Sequence, residues 1–249
     1  MTGRILEVSL LLGCCVLAAC GSRSVEPGSY RGVLKLPGGE LPFGLELKRD
    51  GADTTGFLRD SGPGAAAPDA DVPAEGPVKF TRVIAEGPTL KILIRGDDSQ
   101  ILARSRGTGL EGEWVMRDAE HREHRISFAA RRDANYRFFE TAATDNADIS
   151  GPWSVTFVSS AGAQTQAAEF AQSHAEVGGR FSGAGNQVRR VTGEVHNDDV
   201  YLCSFDGAQA FLYKATVLKD GTLKGEFWSA TGERGSWTAT RRSPAPAAT

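Results

Sequence analysis

The residues Leu17, Ala18, Ala19 and Cys20 form the most specific chemical pattern in this sequence. Leu at −3, Ala at −2 and −1 and Cys at +1 make up the lipobox that bacterial lipoprotein signal peptidase recognises. The small side chains let the chain thread through the peptidase, and the Cys20 thiol accepts a diacylglyceryl group before cleavage. The sequence therefore predicts a lipoprotein signal peptide over residues 1–19 and lipid attachment at Cys20.

The residues before the lipobox favour export. Arg4 and the amino terminus are positive, although Glu7 weakens this charge, and an apolar run extends from Val8 to Val16. The run is shorter than the ~20 apolar residues of a permanent membrane-spanning helix. The alternative is an ordinary secretory peptide, or a short anchor, that happens to contain a cysteine. Gly21 is not the Asp that signals inner-membrane retention. We therefore expect a lipid-anchored protein of the cell envelope, which in a Gram-negative cell would lie in the outer membrane and face the periplasm.

The cysteine count argues against disulfide chemistry. Of four cysteines, Cys14 and Cys15 lie in the predicted signal, Cys20 is the lipid site, and only Cys203 remains as a thiol. One cysteine cannot form an internal disulfide or a Cys-x-x-Cys redox pair. Cys203 is interpreted as a small buried apolar residue, and a reactive thiol is the alternative.

Other reactive combinations are weak, so we predict no catalytic residues, no metal and no cofactor. The densest ionisable cluster is Glu120-His121-Arg122-Glu123-His124, whose histidines are three apart rather than the four of a zinc protease helix. Its position predicts a solvated hairpin turn. The sequence contains no Gly-x-Ser-x-Gly elbow, phosphate loop or dinucleotide fingerprint. A net charge of −3 with scattered Lys and Arg argues against nucleic-acid binding.

The elements that must position these residues are strands. From Tyr30 onward the apolar pattern has period two, interrupted by turn residues about every ten positions. This spacing is typical of an antiparallel sandwich or meander barrel. The clearest predicted strands are Leu41–Leu47, Leu90–Ile94, Val200–Ser204, Ala210–Val217 and Leu223–Trp228.

The two halves resemble each other, which predicts an internal repeat of ~110 residues. The matched blocks are Leu110–Trp114 with Leu223–Phe227, Arg131-Arg132 with Arg241-Arg242, Lys91–Asp97 with Val200–Asp206, and Gln100–Arg104 with Gln209–Tyr213. We expect an all-β fold of two tandem antiparallel meander modules, each with about eight strands that close into a barrel. A barrel of this size is either filled by side chains or holds one small ligand.

The expected boundaries follow from composition. The predicted order is a tether over 20–28, a first β module over 29–132, a linker with a possible short helix over 133–149, a second β module over 150–242 and a disordered tail over 243–249. Within the first module, residues 61–76 are rich in Gly, Ala, Pro and Asp and are expected to be mobile.

Candidate binding residues are aromatic. Trp114, Trp153, Trp228 and Trp237 recur on matched strands and are expected to form core layers, with a ring of aromatics around a pocket as the alternative. Phe205-Asp206-Gly207 is expected at a hairpin turn at one mouth of the second barrel. Phe205 there is either an exposed contact or buried against a neighbouring loop. Trp153, Trp228, Phe205, Asp206 and Gly207 are the candidate ligand-contacting residues.

The second half resembles the β-rich accessory region of TlpA-like thiol-disulfide reductase lipoproteins of Gram-negative bacteria. The similar stretches are Gly151–Trp153, Glu176–Phe181, Val191–Val195, Ser204–Leu212, Leu223–Ser229 and Trp237–Ala239. The resemblance covers residues 136–242, and Ser-Phe-Asp-Gly at 204–207 is its most specific part. Gly183–Gln187 departs from it, where a longer turn with Thr and Asp is expected. No residues match the reductase's thioredoxin domain and Cys-x-x-Cys site, so the resemblance implies the accessory module alone and a thioredoxin-like reductase as a candidate envelope partner.

These features predict a lipid-anchored, non-catalytic binding or scaffold module. The first alternative is a lipocalin-like carrier of a small apolar ligand, which requires an open barrel interior. An envelope hydrolase is a weaker alternative, because no nucleophile and base can be named.

Overall fold

Alternating apolar side chains and turn residues fold this chain into strands throughout the part that the computed structural model describes, residues 25–59, 78–95, 98–132 and 134–242. Within these ranges there is no α-helix and one 3₁₀ turn, Ala184–Asn186. The lipobox, the Gly/Ala/Pro-rich segment 61–76 and the tail 243–249 lie outside the described residues. No described helix is long and apolar enough to cross a membrane.

The first sheet has nine antiparallel strands in the order β4-β3-β2-β1-β9-β8-β7-β6-β5. Pairing of β1 with β9 curls the sheet, but it stays open between β4 and β5. At this opening the Phe80 amide donates to the Gly56 carbonyl of β3 at 3.1 Å and the next amide, of Thr81, donates to the Leu93 carbonyl of β6 at 2.8 Å, so the chain passes here directly from one edge to the other. Its strands are β1 Gly28–Leu36, β2 Gly39–Asp50, β3 Asp53–Arg59, β4 Val78–Lys79, β5 Arg82–Glu86, β6 Thr89–Leu93, β7 Ser99–Arg106, β8 Gly109–Arg117 and β9 Glu123–Arg131.

The second sheet is a closed eight-stranded antiparallel barrel, in which β10 pairs with both β11 and β17. Closure leaves no free strand edge. Its strands are β10 Gly151–Ser159, β11 Gly162–Ser173, β12 Glu176–Ser182, β13 Val188–His196, β14 Asp199–Phe205, β15 Ala210–Val217, β16 Leu223–Ser229 and β17 Arg234–Arg241. The prediction of an all-β fold with two barrel-like modules is confirmed.

Both sheets are antiparallel meanders in which the first strand of the module pairs with the last, and one matched block is in register. Gly112 pairs with Ala103 on the preceding strand and Gly225 pairs with Ala215, so Leu110–Trp114 and Leu223–Phe227 take equivalent places. In the hairpins that follow, Trp114 pairs with Ile126 and Phe227 with Gly235. Both blocks contain a glycine, Gly112 or Gly225, at which a Cβ would collide with the carbonyl oxygen of the neighbouring strand. Close approach of strands requires glycine at both positions.

The other matched blocks are shifted. When β9 and β17 are aligned on the pairs Trp114–Ile126 and Phe227–Gly235, Arg132 corresponds to Arg241, whereas the sequence matched Arg131 with it. Ladder partners align Leu90 with Val200, a slip of one residue. The ladders of β7 and β15 differ by three residues from the predicted alignment of Gln100 with Gln209. Matches between identical residue types therefore do not give the structural register of the two repeats. The hydrogen-bond ladders give it.

The described part of the linker between the sheets does not form the short helix that its sequence allows. Residues 134–150 run as irregular chain with bends. Val25, in the predicted tether, is buried in the first core, and the Tyr30 hydroxyl donates to the Glu26 carbonyl. The last residues of the tether therefore pack against the first sheet.

The buried apolar side chains of the described residues form two cores, and these cores do not divide at the linker. The buried residues of the second core run from Ile149 onward, and the partly buried Ala147 packs against them. The first core combines side chains of the first sheet with five from the second barrel, namely Cys203, Phe205, Ala210, Leu212 and Ala230. The second barrel therefore supplies part of the core of its neighbour.

Candidate functional site

Strands β14 and β15 place apolar side chains on both of their faces. Val200 and Leu202 lie in the core of the second barrel, whereas Cys203 and Phe205 lie in the core of the first. Since side chains alternate along a strand, the second pair points out of its own barrel. The junction between the barrels is built on this outer face.

Phe205 is the centre of the junction. Its side chain is buried, and its ring lies 4.7 Å from the Phe43 ring and 5.0 Å from the Trp114 ring, in an edge-on arrangement with Trp114. Both partners are core residues of the first sheet. Tilted and edge-on pairs of this kind contribute about 0.5–1.5 kcal/mol beyond the apolar area that they bury. Phe205, which the sequence predicts at a mouth of the second barrel, thus packs in the core of the first sheet.

Asp206 and Gly207 shape the turn that carries Phe205 into the first barrel. The Asp206 carboxylate accepts the amides of Ala208 at 2.8 Å and Gln209 at 2.7 Å. Gly207 has φ +81°, and a Cβ there would collide with the Ile94 side chain, so conformation and space both require glycine. The turn over residues 205–209 is called here the plug, because it carries Phe205 into the core of the first sheet.

Polar contacts hold the plug in place. The Ser99 hydroxyl donates to the Gly207 carbonyl and accepts the Trp114 indole N–H at 2.9 Å. Asp206 also lies 3.7 Å from Arg95, where both side chains are about half exposed. An exposed pair of this length contributes little, so the buried Ser99 bridge and the apolar contacts hold the turn.

The linker fills the seam beside the plug through Arg137, which is 7% exposed. Its guanidinium donates to the Thr192 hydroxyl and to the Cys203 sulfur at 3.2 Å. Its carbonyl accepts Nε and Nη2 of the buried Arg31 at 3.0 and 2.7 Å. Arg31 belongs to β1 and Thr192 to β13, so one linker residue ties the two sheets together.

Cys203 is fully buried at this seam. Its thiol donates to the Pro42 carbonyl at 3.4 Å and accepts from Arg137. The expected burial is therefore present, but the surroundings are polar on one side, and the thiol forms part of a hydrogen-bonded network between the barrels.

Two aromatic linker residues, Phe138 and Phe139, extend the seam over the outside of the second barrel. The Glu194 carboxylate accepts their amides at 2.9 and 3.3 Å. The Phe139 ring stacks on His196 at 4.5 Å and lies 4.9 Å from Tyr201. These contacts hold the linker against the second barrel, because the amides of Phe138 and Phe139 are bonded to a side chain of β13.

The four tryptophans do not share one role. Trp114, Trp153 and Trp237 are fully buried core residues, as expected. Trp153 also donates to the Ile149 carbonyl at 2.8 Å, and the Arg241 guanidinium lies 4.6 Å from its ring centre. Trp228 lies instead on the outside of the second barrel, against the first core and over Gly38 of the β1–β2 turn. The expectation of a core layer is wrong for Trp228, which is a junction residue.

The His and Glu cluster forms a turn between β8 and β9. The Asp118 carboxylate accepts a hydrogen bond from His124 at 2.8 Å, and it binds the amide and guanidinium of Arg122. The His124 contact, followed by those of Arg122, lowers the pKa of Asp118 well below its usual range. Throughout the described ranges, no three His, Cys, Asp or Glu side chains are grouped as metal ligands.

Comparison with known proteins adds little. No model of a known protein family matches the chain, and no curated protein matches it. Among solved structures it is similar to a redesigned beta barrel, with 16% identity, a TM-score of 0.34, and coverage of 41% of this chain and 100% of that chain. A likeness of this size has no bearing on ligand or partner.

Proposed function

We propose that this chain is a lipid-anchored, non-catalytic cell-envelope protein whose two joined barrels serve as one binding or scaffold module. The observation that carries the proposal is the shared core, in which Phe205 and its neighbours from the second barrel complete the first. Side chains that could act as nucleophiles, acids or bases are engaged in structural hydrogen bonds. Arg137 bonds to Cys203 at the junction of the two sheets, and His124 bonds to Asp118 in a turn.

The lipobox supports the anchor. Each methylene of an acyl chain that enters the bilayer adds about 0.8 kcal/mol of membrane affinity. The two sheets share a core, so they form one folded body. Fixed to a membrane at Cys20, this body would present a defined surface to an envelope partner. A thioredoxin-like reductase is the partner that the resemblance of the second half implies.

Replacement of Cys20 by Ser tests the anchor. Cells grown with an alkyne-tagged fatty acid should label the wild-type chain, and the Cys20→Ser variant should remain unlabelled and uncleaved as precursor. Unchanged labelling of this variant would contradict lipidation at Cys20.

The partner is tested with a purified thioredoxin-like reductase from the same cell envelope. Because Cys203 is fully buried, the expected association is non-covalent, saturable and unchanged in a Cys203→Ala variant. An association that disappears in this variant, or that runs as a mixed disulfide on a non-reducing gel, would indicate thiol exchange instead of scaffolding.

The lipocalin-like alternative has less support. Rings from opposite strands meet inside the second barrel, with Phe181 5.1 Å from Tyr213 and 6.3 Å from Trp237. All three side chains are fully buried. A long apolar ligand would have to displace this layer of rings.

A further inference from the structure

The two ends of the second barrel are built differently. At the end where β10 begins, Ile149 is fully buried and its amide donates to the Gln172 side chain at 2.9 Å. The Trp153 indole donates back to the Ile149 carbonyl. Linker residues thus seal this end.

Half-buried rings line the opposite end, where β10 finishes and β15 begins. Phe157 and Phe211 are both only partly buried. Beneath them the Phe181 ring lies 5.3 Å from Phe157, and the Tyr213 ring lies 6.2 Å from Phe211. Together with Arg189, these four residues form what is called here the aromatic mouth.

Arg189 is the cation of the aromatic mouth. It stands at the beginning of β13, opposite Phe181, and its guanidinium lies 3.6 Å from the centre of the Phe211 ring. It donates to the Tyr213 hydroxyl at 3.3 Å and to the Gln209 side chain at 3.5 Å. No carboxylate of the described residues lies within ion-pair distance of it.

Such a guanidinium suits an organic anion. Arg has five N–H donors in a fixed fork that matches a carboxylate bidentately, and only two acceptors meet it here. The half-buried rings beside it offer an apolar surface to a flat molecule. The filled layer of Phe181, Tyr213 and Trp237 below limits the depth to which a ligand can enter.

We propose that the aromatic mouth binds a flat aromatic carboxylate, with the carboxylate on Arg189 and the ring against Phe157. The proposal rests on the proposed function, since it gives the binding module a ligand class. A long acyl chain should not bind at the mouth, because aromatic rings occupy the barrel interior below it.

The protonation states of Tyr213 and Arg189 suit a carboxylate ligand over a wide range of pH. Burial raises the pKa of the Tyr213 hydroxyl, so it remains a neutral phenol able to donate a hydrogen bond at and above neutral pH. The Arg189 guanidinium keeps its charge as arginine does in proteins. The Glu233 carboxylate also raises the pKa of Tyr213 and is the acidic group that acts on the mouth. Binding should weaken at low pH, as the carboxylate of the ligand is protonated.

Equilibrium dialysis of the purified full-length chain against 2-naphthoate tests the proposal, with 2-naphthamide as the uncharged analogue. We expect one saturable site for naphthoate and at least tenfold weaker binding of the amide. The Arg189→Gln variant should bind naphthoate at least tenfold more weakly. Arg190→Gln is the matched control, because Arg190 is the adjacent residue of β13 and is out of phase with Arg189; its affinity should stay within twofold of wild type.

A thermal melt by circular dichroism shows whether each variant is folded. If Arg189→Gln does not fold, Arg189→Lys provides the test, and it should weaken naphthoate several-fold because an ammonium cannot bind bidentately. Equal affinity for naphthoate and its amide, equal losses at positions 189 and 190, or tighter binding of dodecanoate would each overturn the proposal. None of these results depends on acylation of Cys20 or on the reductase, so its failure is distinct from failure of the proposed function.

Discussion

Phe205 contributes to stability as a core residue, although it stands at the end of a strand beside a turn. Replacement by Ala should destabilise the full chain by about 3–5 kcal/mol, because the ring leaves a cavity between Phe43 and Trp114. Urea denaturation followed by tryptophan fluorescence measures this change. Leu218→Ala is the control, since Leu218 is 41% exposed and its truncation should cost less than about 0.5 kcal/mol. Similar losses for the two variants would contradict a shared core.

Asp118 makes stability depend on pH in the acid range. Its pKa is lowered in the folded protein, first by the hydrogen bond to His124, so the unfolded chain binds the proton more tightly. The stabilisation is therefore complete above the ordinary pKa of about 3.9 and is lost as the pH falls below it. In Asp118→Asn the melting temperature should be lower near neutral pH and should fall less between pH 4 and pH 2.

Melting curves at several pH values from 2 to 7 measure the Asp118 effect. Asp53→Asn removes an exposed carboxylate at the β2–β3 turn and serves as the control, with a profile parallel to wild type. If Asp118→Asn also runs parallel to wild type, the His124 and Arg122 contacts do not stabilise the turn.

At the scale of the element, Gly225 sets how closely β16 approaches β15. A Cβ at this position would collide with the backbone of Lys214 and Ala215, which cannot move away as a flexible side chain can. Gly225→Ala should cost about 1–3 kcal/mol by overpacking. The control is Gly183→Ala, because Gly183 has φ −97° and a Cβ there would meet nothing closer than 3.5 Å. Thermal denaturation should separate the two variants by several degrees; equal melting temperatures would argue against close strand approach at Gly225.

At the scale of the whole molecule, the two barrels should differ in independence. Residues 145–242 contain a closed barrel with a core of their own, so this fragment should unfold cooperatively. Residues 25–132 lack the five side chains that the second barrel supplies, and this fragment should be far less stable than the full chain. Circular dichroism melts of both fragments and the full chain check the difference.

The fragment experiment has a clear opposing outcome. A first fragment that melts cooperatively at the temperature of the full chain would show that the junction adds nothing to its core. Addition of the second fragment to the first should raise the melting temperature of the first, because Phe205 and Leu212 can then be buried again.

The sequence alone determines the strands and turns of this protein, because alternation and turn chemistry are local. The strand predicted over Ala210–Val217 has these same bounds in the structure. Junction residues in the linker were missed: Arg137 stands in a stretch without alternation, and its partners come from β1, β13 and β14. Arg189 was missed as well, since nothing near it along the chain shows that it meets Phe211.

One local signal of the junction was present. The runs Val200–Phe205 and Ala210–Tyr213 are apolar at most positions instead of alternating, as in strands buried on both faces. Such a run shows that something covers the outer face but not what covers it. Only the tertiary structure decided that the cover is the first barrel, because contacts between distant segments depend on how whole sheets pack. The same packing decided that Phe205 lies in the core of the first sheet and that Asp206 and Gly207 form the turn beside it.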